Sequence, residues 1–141
     1  MLPPISEISD NFELLDDWED RYRYLIELGR LMPDMPEAEH RDENKVQGCA
    51  SQVWLQMLPE GTGPSAPVAF RGDSDAHIVK GLVALLVALL SGRPAAEIAS
   101  SEPLAFFDRF GLGQHLTPQR SNGLRAMVER IRAEAGRVAA A

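Results

Sequence analysis

The chain has 141 residues, of which 45% are hydrophobic and 25% charged, and its formal net charge is −7. We predict one domain over residues 1–141, because a chain of this length can bury a core without metals or disulfides. Residues 1–60 carry 14 acidic and 5 basic residues (net −9), and residues 61–141 carry 7 acidic and 9 basic residues (net +2). Phosphate contacts need clustered Lys and Arg, so the charge pattern argues against nucleic-acid binding.

The single cysteine limits the chemistry further. One cysteine forms no intramolecular disulfide and no Cys-rich metal centre, and we expect neither a bound metal nor a cofactor. The N-terminus has no basic flank followed by an apolar run. The longest apolar stretch, Leu82–Leu90, is far shorter than the roughly 20 residues that span a bilayer. We therefore expect no membrane association and a cytoplasmic location, where thiols stay reduced.

The first half of the chain contains helical and then strand periodicity. Apolar residues recur at helical spacing between Leu15 and Gly29, with Asp16 and Glu19 at capping-box spacing, and this predicts a helix that ends near Met32. The polar stretch 33–45 is predicted to be an exposed loop. Alternation over 51–57 and a short apolar run at 68–70 predict two strands, which the turn-rich segment 59–64 connects as a hairpin.

The second half is predicted to be mainly helical. Gly72-Asp73-Ser74-Asp75 is a helix-start signal, and the apolar stretch 76–91 that follows is typical of a core helix. Short helices are predicted near 94–99 and 103–110. Thr117-Pro118 precedes a final amphipathic helix, with a frayed tail over 138–141. Together these elements predict an α+β fold, with a small antiparallel sheet packed against several helices.

Cys49 is the residue with the most distinctive chemistry. It lies between the polar loop and the first strand, next to Gly48, which allows the backbone to turn sharply or to take a positive φ. A thiol on such a bend is placed as reactive groups often are. Most lone cysteines in reducing compartments are nevertheless buried and inert, so position alone does not assign a reaction.

Four blocks of the sequence, in order, resemble the SufE family of sulfur acceptors for cysteine desulfurases. The block that contains the cysteine, Val46-Gln47-Gly48-Cys49-Ala50-Ser51-Gln52-Val53-Trp54, is similar to the family's signature loop. The other three blocks are Trp18–Gly29, Arg71–Gly81 and Leu112–Ile131. The resemblance implies a SufE/IscU-like fold and a monomer or homodimer.

The resemblance also implies a function. Cys49 is expected to take persulfide sulfur from a SufS/CsdA-type cysteine desulfurase and to stimulate that enzyme. The sulfur then passes to iron–sulfur cluster assembly on a SufBCD-like scaffold complex. The alternative is a CsdE-type carrier that feeds another pathway, such as tRNA or cofactor thiolation. On either alternative the chain is an accessory protein rather than an enzyme, and pyridoxal phosphate belongs to the desulfurase.

Other residues around the motif are assigned weaker roles. Four residues, Gln47, Gly48, Ser51 and Gln52, are expected to shape the loop, with Gly48 as a candidate hinge. Candidates for partner docking or for contact with a sulfur anion are Asp73, Asp75, His115 and Arg120. Helix capping is the simpler role for the two aspartates, and His115 is also a candidate base for Cys49. His40 and His77 are assigned no role.

Three other functions remain open at this stage. A Cys–His hydrolase or thiol peroxidase needs a base and an oxyanion hole around Cys49. An iron–sulfur scaffold needs three or four ligands, which a single cysteine makes hard to supply. A purely allosteric activator of a desulfurase would use Cys49 only as packing.

Overall fold

A computed structural model describes residues 2–141. The described residues form six helices and three strands in the order α1 (Ile5–Leu14), α2 (Trp18–Leu31), β1 (Val53–Pro59), β2 (Pro67–Ser74), α3 (His77–Leu90), β3 (Arg93–Pro94), α4 (Ala95–Ala99), α5 (Leu104–Arg109) and α6 (Pro118–Ala140). Short 3-10 turns lie at Glu37–Glu39, Asp42–Asn44 and Gly113–His115. The predicted α+β class is confirmed: a three-stranded antiparallel sheet packs against helices.

The N-terminal helices differ in part from the prediction. Helix α1 was not predicted, although its Ile8 and Phe12 are fully buried. Helix α2 was predicted, but its N-cap is Asp17, whose carboxylate accepts from the Asp20 amide at 2.9 Å. The predicted cap at Asp16 is therefore wrong by one residue. The side-chain oxygen of an N-cap residue accepts from the backbone amide two or three residues further along the chain. In the sequence both Asp16 and Asp17 have amides at that spacing, so the sequence does not distinguish them.

The hairpin is confirmed, but its second strand is longer than predicted. The register pairs Val53 with Ser74 at one end of the hairpin and Pro59 with Val68 at the other. Strand β2 thus includes most of the segment Gly72–Asp75. The helix predicted over 76–91 does begin directly after it, at His77, but the expected capping by this segment is wrong, because the N-cap is Ala76 without a side-chain capping bond. Pairing with β1 outweighs the local capping signal of these residues. The two-residue strand β3 then pairs with β2 at its outer edge.

Helix α3 forms the centre of the core, as its apolar sequence predicts. It packs on one side against β2 and on the other against α2. The crossing with α2 is close: a Cβ added at Gly81 would lie 2.2 Å from the carbonyl oxygen of Leu25. A glycine at this position is therefore required for the two helices to approach.

The C-terminal part of the chain completes the core. Helices α4 and α5 confirm the two short helices, and Gly92, with φ +85°, follows the end of α3. Thr117 caps α6, with Pro118 in its first turn. The predicted fraying is wrong as a description of the structure, because α6 continues to Ala140 and the Val138 carbonyl accepts from the Gly63 amide at 2.9 Å. Among residues 2–141, no helix combines the length and apolarity needed to cross a membrane.

Candidate functional site

The cysteine sits at the tip of a closed loop, residues 46–52, which we call the Cys49 loop. Its two ends meet where the Val46 amide donates to the Val53 carbonyl at 2.8 Å. Gly48 has a φ of +90°, a conformation that residues with side chains rarely adopt, so the predicted positive φ is confirmed. The turn at Gly48 directs the chain back towards α6, against which Cys49 packs.

Both ends of the Cys49 loop are fixed by neighbouring elements. Arg130, on α6, donates to the backbone carbonyls of Glu43 at 2.7 Å and Lys45 at 3.1 Å. At the other end the Asp75 carboxylate accepts from the Gln52 amide at 3.0 Å, and the Ser74 hydroxyl donates to the Gln52 carbonyl at 2.8 Å. Side-chain hydrogen bonds from α6 and from residues 74–75 therefore anchor both ends of the loop.

Cys49 is half-buried against the second turn of α6. Its thiol donates to the carbonyl oxygen of Gly123 at 3.6 Å. Beside it lies a cavity of about 20 Å³, which is room for roughly one water-sized group. The wall comes from the loop itself, from α3 and from α6, through Cys49, Ala50, Ser51, Val79, Leu82, Gln119, Arg120, Gly123 and Met127.

The surroundings of the Cys49 thiol favour its neutral form. Burial raises the pKa of the Cys49 thiol above its ordinary value, because the thiolate is poorly solvated there. At neutral pH the resting group is therefore predominantly the thiol. Arg120 forms part of the cavity wall, and its side chain makes no salt bridge within residues 2–141. Burial is the only cause of the raised pKa of Cys49, so the charge of Arg120 does not act on the resting thiol.

The structure separates the other predicted loop residues by position. Ser51 lines the cavity, whereas Gln47 and Gln52 are exposed. Gln52 contributes through its backbone, which Ser74 and Asp75 hold in place. Asp75 thus fixes the loop rather than capping α3, whose N-cap is Ala76 without a side-chain capping bond.

Asp73 lies in a partly buried cluster of charged side chains and caps no helix. Its carboxylate accepts from His40 at 2.7 Å and pairs with Lys80 at 3.3 Å. Burial acts to raise the pKa of Asp73, but the hydrogen bonds from His40 and the Ser74 amide together with the charge of Lys80 outweigh it and lower that pKa. The bond with Asp73 also raises the pKa of His40. His40 also packs edge-on against Trp54, with ring centroids 4.7 Å apart. It joins the segment before the Cys49 loop to β1 and β2, a role that the sequence did not indicate.

His115 is not brought to the cysteine. Its ring stacks on Trp18 at a centroid distance of 4.6 Å, and no histidine lines the cavity in the part of the chain that the structure describes. The predicted candidate base therefore lies outside the site, whereas Arg120 lies within it. Over the same described residues, no three His, Cys, Asp or Glu side chains converge as a metal-binding group.

Several wall residues were not predicted from the sequence. Val79, Leu82 and Met127 carry only the periodicity of core residues, which gives no indication of a cavity. Gly123 did offer a signal, since glycine inside a helical pattern is unfavourable for the helix. Arg130 offered none, because its contacts to residues 43 and 45 depend on how α6 crosses the loop.

Comparison with known proteins is consistent with this arrangement. Residues 6–135 match the family model of SufE, described as an Fe-S metabolism associated domain. The chain belongs to the SufE family. The family assignment gives it a role in iron–sulfur metabolism.

Similar proteins match over most of their length. The chain is 54% identical over 131 residues to an uncharacterized SufE-like protein of Rhizobium etli, covering 93% of this chain and 88% of that protein. It is 53% identical, again over 131 residues, to one of Rhizobium meliloti, covering 93% and 94%. A solution structure of a hypothetical protein from Thermus thermophilus superposes with a TM-score of 0.75 at 24% identity, with both chains covered completely, and supports the fold.

Proposed function

We propose that this SufE-family protein is a sulfur carrier. Its Cys49 accepts the outer sulfur of a persulfide held by a pyridoxal-phosphate-dependent cysteine desulfurase, and it delivers that sulfur to iron–sulfur cluster assembly. The observation that carries the proposal is the position of the only cysteine, on a turned loop beside a cavity with room for roughly one small group.

The proposed transfer balances without an oxidant. The Cys49 thiolate attacks the outer sulfur of the donor persulfide, a new S–S bond forms at Sγ, and the donor's own S–S bond breaks. The electron pair of that bond leaves on the donor thiolate, which takes up the proton that Cys49 gave up. One thiol and one persulfide are consumed and one of each is formed.

The environment of Cys49 supports this role in two ways. Burial raises the pKa of the thiol, so the free protein is slow to react with adventitious electrophiles. Once a persulfide anion has formed, we expect the Arg120 guanidinium to turn towards it, since this side chain already lines the cavity. A persulfide is easily oxidised, so a carrier benefits from a half-buried position for the sulfur it holds.

In the proposed complex this chain carries out only the transfer of sulfur. Carbon–sulfur bond cleavage and its pyridoxal phosphate belong to the desulfurase, and this chain acts in the cytoplasm, where thiols stay reduced. Removing the persulfide returns the desulfurase to its free thiol form, so the carrier increases that enzyme's turnover.

Replacing the nucleophile tests the proposal. Purified Cys49→Ser is mixed with a cysteine desulfurase and cysteine, and alanine formation is followed beside the wild-type chain. We expect the wild type to accelerate alanine formation and Cys49→Ser to lose that effect while melting near the wild-type temperature. Stimulation retained by a folded Cys49→Ser would instead identify the chain as an allosteric activator and overturn the carrier role.

A further inference from the structure

Gly123 occupies a place in α6 where glycine is unfavourable for the helix. It lies in the second turn of a helix that runs from Pro118 to Ala140, and its φ is not positive. Glycine inside a helix is markedly less favourable than alanine. The backbone geometry therefore does not require glycine here, and the reason must lie in what a side chain would meet.

Ordinary packing does not require glycine at this position either. A Cβ added at Gly123 would lie 3.4 Å from Cys49 Sγ and 3.7 Å from its Cα and Cβ, which is normal van der Waals contact. By contrast, a Cβ at Gly81 would lie 2.2 Å from a backbone oxygen, and one at Gly72 would lie 2.6 Å from Val83 Cγ1. An alanine methyl at position 123 thus fits beside the Cys49 thiol.

The geometry points to a space kept for a second sulfur atom. We propose that Gly123 is a positioning residue for the persulfide form, leaving room for the outer sulfur that Cys49 carries; this rests on the proposed carrier function. An S–S bond is about 2.05 Å long. An outer sulfur directed at Gly123 would therefore overlap with a methyl carbon located 3.4 Å from Sγ.

The size of the cavity agrees with a single-atom guest. At about 20 Å³ it has little spare room, and Gly123 and Cys49 both form its wall. A methyl group in this space leaves the thiol form intact and overpacks the persulfide form. Overpacking destabilises the persulfide form relative to the thiol form, and a tenfold shorter lifetime corresponds to about 1.4 kcal/mol.

The test compares Gly123→Ala with a matched control in the same helix. Gly136→Ala gives α6 the same gain in helix propensity, and its added methyl meets only Ala99 Cβ, at 4.0 Å. Each full-length chain is loaded with inorganic polysulfide. The Cys49 thiolate attacks a terminal sulfur, a polysulfide S–S bond breaks, and the electron pair leaves on the shortened polysulfide dianion.

After the polysulfide is removed, intact mass spectrometry follows loss of the extra sulfur to a small thiol. We expect both thiol forms to melt at or above the wild-type temperature. The wild type and Gly136→Ala should hold the sulfur for similar times, and Gly123→Ala should lose it roughly tenfold faster. The double variant Gly123→Ala/Val79→Ala, which removes bulk from the part of the wall that α3 provides, should regain part of the lifetime.

The outcomes separate this inference from the function on which it rests. Equal lifetimes in Gly123→Ala and the wild type overturn the role of Gly123 and leave the carrier function standing. A Gly123→Ala thiol form that melts below the wild type also overturns it, because a methyl must fit beside the thiol. A wild-type chain that forms no adduct on Cys49 contradicts the carrier function itself.

Discussion

Arg130 holds Lys45 across the base of the Cys49 loop, its guanidinium donating to the Lys45 carbonyl at 3.1 Å. The same helix, α6, provides Gly123 against the thiol. One helix therefore fixes the start of the loop and forms part of the cavity wall. We therefore expect movement of the loop tip and accessibility of Cys49 to be coupled through α6.

Removal of the Arg130 side chain tests this coupling. We expect Arg130→Met to lose about 1–2 kcal/mol of unfolding free energy, because two carbonyls lose a charged donor. Alkylation of Cys49 by iodoacetamide should speed up roughly tenfold as the loop opens more often. Arg137→Met is the control, since Arg137 is exposed on the same helix. Equal alkylation rates in all three proteins would show that Arg130 does not restrain the loop.

Asp75 is expected to hold the other end of the loop through a single acceptor oxygen. In Asp75→Ala the Gln52 amide loses its partner, and its hydrogen exchange should become faster by roughly tenfold. Asp75→Asn keeps a carbonyl oxygen in that position and should stay near the wild-type rate. Exchange at Gln52 that is equally slow in Asp75→Ala would rule out this anchor.

Folding should shift the pH at which Cys49 becomes reactive to a higher value. Burial raises the pKa of the thiol, so the folded chain forms thiolate only at a higher pH than a free cysteine, whose pKa is about 8.5. The pH profile of the alkylation rate should have its midpoint above that of the same chain unfolded in urea. A folded midpoint at or below the unfolded one would contradict the burial argument.

The pair formed by His40 and Asp73 should make stability depend on pH. The pKa of His40 is raised in the folded chain. Its contribution to the free energy of unfolding is therefore complete below about pH 6.5, the pKa of an unfolded histidine, and is lost as pH rises through the folded pKa. The lowered pKa of Asp73 means that its contribution is present above about 3.9 and is lost as pH falls through its folded pKa. The pair is therefore most stabilising between these limits.

His40→Gln measures that contribution. In urea unfolding, we expect the free energy of unfolding of the wild type to exceed that of His40→Gln by about 1 kcal/mol near pH 5.5 and by less at pH 8. Lys80, which also contacts Asp73, stays charged over this range, and Glu37 lies within 4.0 Å of the His40 ring. A difference that is constant from pH 5.5 to pH 8 would assign the effect to packing against Trp54.

Much of the fold could be predicted because periodicity and capping are local. Alternation identified β1, and Thr117-Pro118 marked the start of α6. Helix α1 was not predicted although Ile5, Ile8 and Phe12 have the spacing of one helix face, and β3 was not predicted because two residues carry no period. The segment Gly72–Asp75 has a helix-start composition, but the register with β1 makes most of it a strand.

The site was predictable only where a residue's own chemistry indicates it. Cys49 and the turn at Gly48 could be identified from sequence, since a lone thiol beside glycine is a local pattern. The cavity could not, because Leu82 and Met127 are typical core residues whose wall exists only once α3 and α6 meet the loop. His115 was offered as a base from its type alone, and packing on Trp18 places it elsewhere.

The most direct test of the carrier role is the intact mass of the wild-type chain after incubation with a cysteine desulfurase and cysteine. We predict a gain equal to one sulfur atom, located on Cys49 by peptide mapping, removed by reductant and missing from Cys49→Ser. A mass that stays that of the free thiol while the desulfurase turns over would contradict the account.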